Sequence, residues 1–214
     1  MSVEKVWHLL EVMFTALLFG TQTILHVGMF YGYMSIPLLL YLAYLIMGVP
    51  FESAEIELQA LLFWKMYIVG RVIALAGLIV FLIALTQFLM NRRKGVGLMR
   101  TGLYSHVRHP QFMGIIIISI GLTVMVLTQS SANPLQVPAS WLMQVLGYIC
   151  LARYEESHLL KRFGESFNQY KRDVPFMFPI RHPRRISETV FTILIAVLIC
   201  FSLVFFPYNL IRIH

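Results

Sequence analysis

Charge is scarce in this chain. Of 214 residues, 13% are Asp, Glu, Lys or Arg and 58% are apolar, whereas a soluble domain is about a quarter charged and half apolar. With a mean hydropathy of +0.75, this balance argues against a soluble globule and for a polytopic membrane protein. Cysteine is nearly absent. Cys150 and Cys200 have neither CxxC nor any other metal-ligand spacing, so they read as two small buried hydrophobes, and no metal site is expected. Internal repeats, low-complexity tracts and sizeable linkers are also lacking, which leaves one integral membrane domain over 1–214. The first apolar run has no basic n-region and no small-residue cleavage site. It reads as a retained span.

What is abundant is long apolar runs. A bilayer core about 30 Å thick needs roughly 20 helical residues. Residues 6–30 supply a first span, interrupted by Glu11 and His26, and 36–49 a short second one closed by Pro50. Residues 51–59 form an acidic loop with Glu52, Glu55 and Glu57. The run 61–90 carries Lys65 and Arg71 and starts its span near Met66. Residues 112–128 give a fourth span, and 129–138 a turn marked by Asn133 and Pro134. Residues 139–152 give a fifth span and 189–208 a sixth, with Pro207 closing it. The expected fold is all-α, a bundle of about six transmembrane helices. Gly28 and Gly32 are the one glycine pair at dimerisation spacing, weak evidence for helix packing.

The 17 Lys and Arg outnumber the 10 acids, and all but Lys5, Lys65, Arg71 and Arg212 cluster in two stretches between spans. Arg92, Arg93, Lys94, Arg100 and Arg108 lie in one; Arg153, Lys161, Arg162, Lys171, Arg172, Arg181, Arg184 and Arg185 lie in the other. Such loops are cytoplasmic by the positive-inside rule, which puts the acidic loop and both termini outside. Nucleic acid is not an expected partner, because these loops are short and tethered to spans; the bilayer and its anionic headgroups are.

The fifth span continues without a breaker through 154–163, so its helix projects into the cytosol. Gly164 is placed to cap it. A second short helix, 165–173, stops before Pro175. Phe163, Phe167 and Tyr170 recur at helical spacing as an apolar stripe expected to lie against the headgroups.

Two segments carry polar chemistry at this face. The first, GLYSHVRHPQFMG over 102–114, is a histidine-containing loop in which Pro110 holds His109 in an extended or turn conformation. Arg108 can grip a carboxylate through two nitrogens, and His109 can titrate near neutral pH. Alone, Arg108 reads equally as a membrane anchor and His109 as an ordinary loop residue. The second segment holds Glu155 and Glu156. Adjacent helical residues do not share a face, so these are not a two-carboxylate acid–base dyad. One points inward while the other faces the loop or solvent. Together, a basic loop and an acidic helix could receive the two ends of a zwitterionic amino-acid moiety. Glu11 and Arg71 read as structural, snorkelling or pairing near the outer surface.

GLYSHVRHPQFMG followed by EESHLLKRFGESFNQYKRDVPFMFP resembles the membrane methyltransferase superfamily of isoprenylcysteine carboxyl methyltransferases and phospholipid methyltransferases. The likeness covers about 95–179, a methyltransferase-like core; it extends neither to 1–90 nor to the last span. It implies S-adenosylmethionine as methyl donor, held in a cytoplasmic cleft between loop 91–111 and the helices in 153–175. The cofactor contacts carried over are Gly97, Leu98, Met99, Tyr104, His109, Pro110, Gln111, Phe112, Glu155 and Glu156. Arg108 and Arg153 are candidates for orienting substrate or cofactor. The family often has Tyr where Phe112 stands. Its prenylcysteine enzymes place an arginine where this chain has Leu151, with Arg153 out of phase. The implied activity is methyl transfer to a lipophilic acceptor, a lipid or a prenylcysteine-like carboxylate, amine or thiol. Sterol-reductase-type enzymes, which use NADPH, show a similar RHP loop and Val-Pro ending. Their pattern departs from this chain at Gln111, Gly114-Ile115 and Tyr154-Glu155-Glu156. A non-enzymatic scaffold or transporter is the third alternative, but the apolar midplanes speak against transport.

Overall fold

Two glycines on each of two helices set a close backbone approach among the described residues. In the computed structural model, residues 32–47, 64–93, 97–127, 132–181, 183 and 186–211 are described. The chain divides into two compact units, Met1–Ile36 and Pro37–His214. Helix α1 (Gly32–Met47) starts in the first. In the second, α2 (Trp64–Arg93) is followed by a 3-10 turn (Gly102–Ser105), α3 (Pro110–Val126), α4 (Gln136–Phe163), α5 (Glu165–Asp173) and α6 (Glu188–Ile211). The described residues contain no strand, so the fold is all-α as the sequence indicates.

α2 and α3 run against each other through Gly70 and Gly77 on one side and Gly114 and Gly121 on the other. A Cβ on Gly77 would stand 2.8 Å from the Gly114 carbonyl oxygen, and one on Gly70 2.8 Å from that of Gly121. Both pairs are seven residues apart, two helical turns, so they recur on one face. Backbone approach of this kind supplies close van der Waals packing between helices. The pair 28/32 singled out in the sequence cannot be placed, because Gly28 lies outside the described residues. The 70/77 and 114/121 spacing is what organises this seam.

α3 and α4 enclose the core, with Phe112, Ile116, Trp141, Val145 and Tyr148 all buried. Tyr41 of α1 reaches this core: its hydroxyl lies 2.8 Å from Thr123 Oγ1 and donates to the Ser119 carbonyl at 3.2 Å.

α2 and α6 are each long and apolar enough to cross a membrane. The core helix of a soluble protein would meet the same test but would be mostly buried. Here only 17% of the α2 window and 11% of the α6 window is buried inside the protein. Their uncovered surfaces, including Val72, Leu75, Ile79, Leu194, Leu198 and Phe201, are apolar, as a lipid-facing helix requires. α1 and α3 are apolar but shorter. The first span expected at 6–30, with Glu11 and His26, and the acidic loop at 51–59 fall outside the described residues.

Several boundaries differ from those read in the sequence. α4 begins at Gln136, inside the expected turn, because the Asn133 side-chain oxygen accepts hydrogen bonds from the Leu135 and Gln136 N–H groups. Pro138 falls in the first turn, where its missing N–H costs nothing. The same helix then runs unbroken to Phe163. Gly164, at φ 52°, ends it, its N–H donating to the Leu160 carbonyl. α5 occupies 165–173 as expected. Pro207 does not close the last helix, which continues to Ile211. Cys150 is exposed rather than buried and Cys200 half-buried; Cys150 faces outward from α4, where a small apolar side chain needs no protein cover. Arg71 lies over the Tyr67 ring at 4.5 Å.

Candidate functional site

The loop before α3 is pinned from three sides. Gly102, at φ 64°, starts the 3-10 turn. The Leu103 N–H donates to the Gln87 side-chain oxygen of α2 at 3.0 Å. The Tyr170 hydroxyl of α5 donates to the Tyr104 carbonyl at 2.6 Å, and the Arg108 N–H donates to the Pro175 carbonyl at 3.0 Å. Arg100 bonds the Ser166 carbonyl. Pro110 occupies the first helical position of α3, where fixed φ and a missing donor suit a helix start.

This pinning buries what the sequence reading treated as an edge loop. Arg108 is 4% and His109 3% exposed. Arg108 meets two carboxylates rather than gripping one: Nη1 stands 2.5 Å from Glu156 and Nη2 2.5 Å from Glu188. His109 also bridges two, Nδ1 to Glu155 at 3.3 Å and Nε2 to Glu156 at 3.4 Å. Glu156 is buried and Glu155 more open, with 22% of its side chain accessible. The adjacent carboxylates diverge, as neighbours on a helix must, and the histidine lies between them. Arg153 joins through its i,i+3 relation to Glu156, at 2.8 Å. It also bonds the Thr189 hydroxyl and lies over the Phe176 ring at 4.5 Å. Lys171 Nζ completes the set, 3.6 Å from Glu156.

Three carboxylates thus face three permanent cations, so a neutral imidazole makes the cluster neutral and a protonated one leaves it at plus one. Burial opposes charge on His109, but hydrogen bonds to Glu155 and Glu156 and their negative charges outweigh it and raise its pKa above 6.5. For Glu156, burial likewise opposes ionisation. The hydrogen bond from His109 and the charges of Arg108, His109 and Lys171 prevail and hold it near 2. A buried arginine is tolerated only when paired. Here Nε of Arg108 makes no hydrogen bond among the described residues.

The other residues named from sequence are distributed around this cluster. Phe112 stacks on His109 at 5.5 Å, and Phe176 meets the same ring edge-on at 5.3 Å. Pro110 and Gln111 are buried in the first turn of α3, and Tyr104 is buried in the 3-10 turn. Gly97 is exposed beside Phe163; Leu98 and Met99 are half-buried, and Leu98 packs on the Phe167–Tyr170–Val174 cluster. That cluster corrects the expectation of a stripe against headgroups. Phe167 and Tyr170 are 2% and 4% exposed, turned onto the protein, where Leu98, Leu159 and Phe163 pack against them.

Glu188, Thr189, Phe176 and Lys171 were not singled out as site residues in the sequence. One signal existed: Glu188 is the only acid after Asp173, an isolated carboxylate after a run of arginines. Among the described residues no group of His, Cys, Asp and Glu is arranged to hold a metal ion.

No curated protein and no solved structure matches this chain. A family model described as protein of unknown function (DUF1295) matches residues 19–174. The matched stretch contains Arg108, His109, Glu155 and Glu156 and stops before Phe176 and Glu188. With the greater part of its length covered, the chain belongs to the DUF1295 family.

Proposed function

We propose that this protein is an integral membrane methyltransferase that moves the methyl group of S-adenosylmethionine to a lipophilic acceptor at the cytoplasmic membrane face. The observation that carries the reading is the meeting of the two resembling motifs, the RHP loop and the paired-glutamate helix, at His109. The full topology belongs to the same proposal: about six spans, basic loops inside and both termini outside.

The residues present suit such a donor. Glu155 keeps an accessible carboxylate for an ammonium group, and the buried Nε of Arg108 has no acceptor among the described residues, leaving a donor for a carboxylate. When bound, the sulfonium supplies an electrophilic methyl group. The chain's own part is orientation and water exclusion. Phe112 and Phe176 cover His109 on face and edge. His109 lies between Glu155 and Glu156, so it positions the two carboxylates. An acceptor carboxylate needs no base; an amine or thiol would have to arrive deprotonated.

Isothermal titration of the purified protein with S-adenosylhomocysteine tests the reading. Saturable binding that weakens in Glu155→Gln and His109→Ala supports it. Binding of NADPH instead, with none of the nucleoside product by folded protein, would favour the sterol-reductase alternative.

A further inference from the structure

Arg153 is held more firmly than its place on α4 requires. Its side chain is 31% exposed, and ordering a long, partly wetted side chain costs rotamer entropy. Groups from three segments fix it. The Phe176 ring lies under its guanidinium at 4.5 Å. Nε and Nη2 both donate to the Thr189 hydroxyl oxygen, Nε at 2.8 Å, and a hydroxyl has two lone pairs to receive them. Nη1 is then directed to Glu156, 2.8 Å from Oε2.

That contact decides how the two oxygens of Glu156 are shared. Oε1 meets Arg108 at 2.5 Å and His109 at 3.4 Å. Oε2 meets Arg153 and, at 3.6 Å, Lys171, whose side chain is 38% exposed. Without Arg153, Oε2 keeps only a partly wetted lysine. The charge left uncompensated then bears on His109, which lies between Glu155 and Glu156. A freed guanidinium also has a competing partner, because Glu188 already stands 3.7 Å from Nη1. A threonine in the first turn of α6 thus reaches the histidine before α3 through an arginine and a glutamate of α4.

We propose that Thr189 is a positioning residue of the charged cluster: its hydroxyl holds Arg153 on Glu156 and, through that pair, sets the charge that His109 faces. The test is NMR titration of the His109 imidazole in the full chain in detergent micelles, with thermal unfolding as the check on folding. The acids facing the ring are Glu155 and Glu156, with Arg108, Arg153, Lys171 and Glu188 around them. Arg153→Met withdraws one cation from Glu156 and should move the midpoint upward by about half a unit, the effect of one screened charge. Thr189→Val and Thr189→Ala lose the hydroxyl and should move it the same way. Either one combined with Arg153→Met should move it no further than Arg153→Met alone. Thr189→Ser keeps the hydroxyl and should titrate as the unsubstituted chain. An unmoved midpoint in folded Thr189→Val or Thr189→Ala, an equal shift in Thr189→Ser, or a further shift in the double variant would each overturn the proposal. No methyl donor enters this readout, so its failure and that of the function proposed above are distinguishable.

Discussion

Glu188, in the first turn of the last helix, stands 2.5 Å from Arg108, eighty residues earlier in the chain. The contact fastens α6 to the loop before α3, and Arg108 in turn holds Glu156 of α4. Three helices are thereby locked through one buried guanidinium. Removing one partner of a buried pair typically costs 3–5 kcal/mol, because the other charge is left behind. Glu188→Ala should lower stability by about 3 kcal/mol in thermal unfolding, and Glu188→Asp should recover part of it. In a double-mutant cycle with Arg108→Met, the two losses should be markedly less than additive.

Acid should weaken the same cluster. Glu156 titrates near 2 rather than 4.5, so its contribution is fully present above pH 4.5 and is lost as pH falls toward 2. At about 1.4 kcal/mol per unit, the contribution is roughly 3 kcal/mol. Chemical denaturation between pH 3 and 6 should show that slope, and Glu156→Gln, less stable at neutral pH, should flatten it.

Alkali acts through His109. Its folded pKa lies above 6.5, so its stabilisation is complete below pH 6.5 and is lost as pH rises through the raised value. Stability should therefore decline as pH rises above 6.5. His109→Gln should remove that decline while leaving the acid limb, and NMR titration of the imidazole should report the raised pKa directly.

The expected folding-level features were legible where local rules decide. Gly164, Pro110 and Pro175 marked the ends of α4, α3 and α5, since backbone restriction acts within a few residues. What escaped the reading depended on distance. Glu188 is paired with a residue eighty positions away, and nothing local to Ser187-Glu188-Thr189 specifies an arginine partner. The glycine seam escaped for a different reason. The pair Gly28/Gly32 has the dimerisation spacing of four, whereas Gly70/Gly77 and Gly114/Gly121 recur at seven. Pro207 misled because a proline inside an apolar helix costs a hydrogen bond without necessarily ending it. In the site, the residue types of the loop and the glutamates were evident. That Arg108 spends both terminal nitrogens on protein carboxylates was not, because it follows from burial.

The seam gives a packing prediction. Gly77→Leu must displace the α3 backbone, where a Cβ alone would lie 2.8 Å from the Gly114 carbonyl oxygen. Overpacking of this kind costs about 1–3 kcal/mol or more, and unfolding in detergent should show it. Gly97→Ala, whose Cβ would meet Phe163 at an ordinary 3.4 Å, should change stability by less than about 0.5 kcal/mol.

The central claim is methyl transfer at the cluster around His109, Glu155 and Glu156. Its most direct test is the fate of a labelled methyl group, presented as S-adenosylmethionine to purified, folded protein with total membrane lipid, prenylcysteine analogues or small thiols. The account predicts label in one lipophilic acceptor class, strongly reduced in folded Glu155→Gln. Folded protein that transfers no label to any of these acceptors, or transfers it equally well in Glu155→Gln, would contradict it.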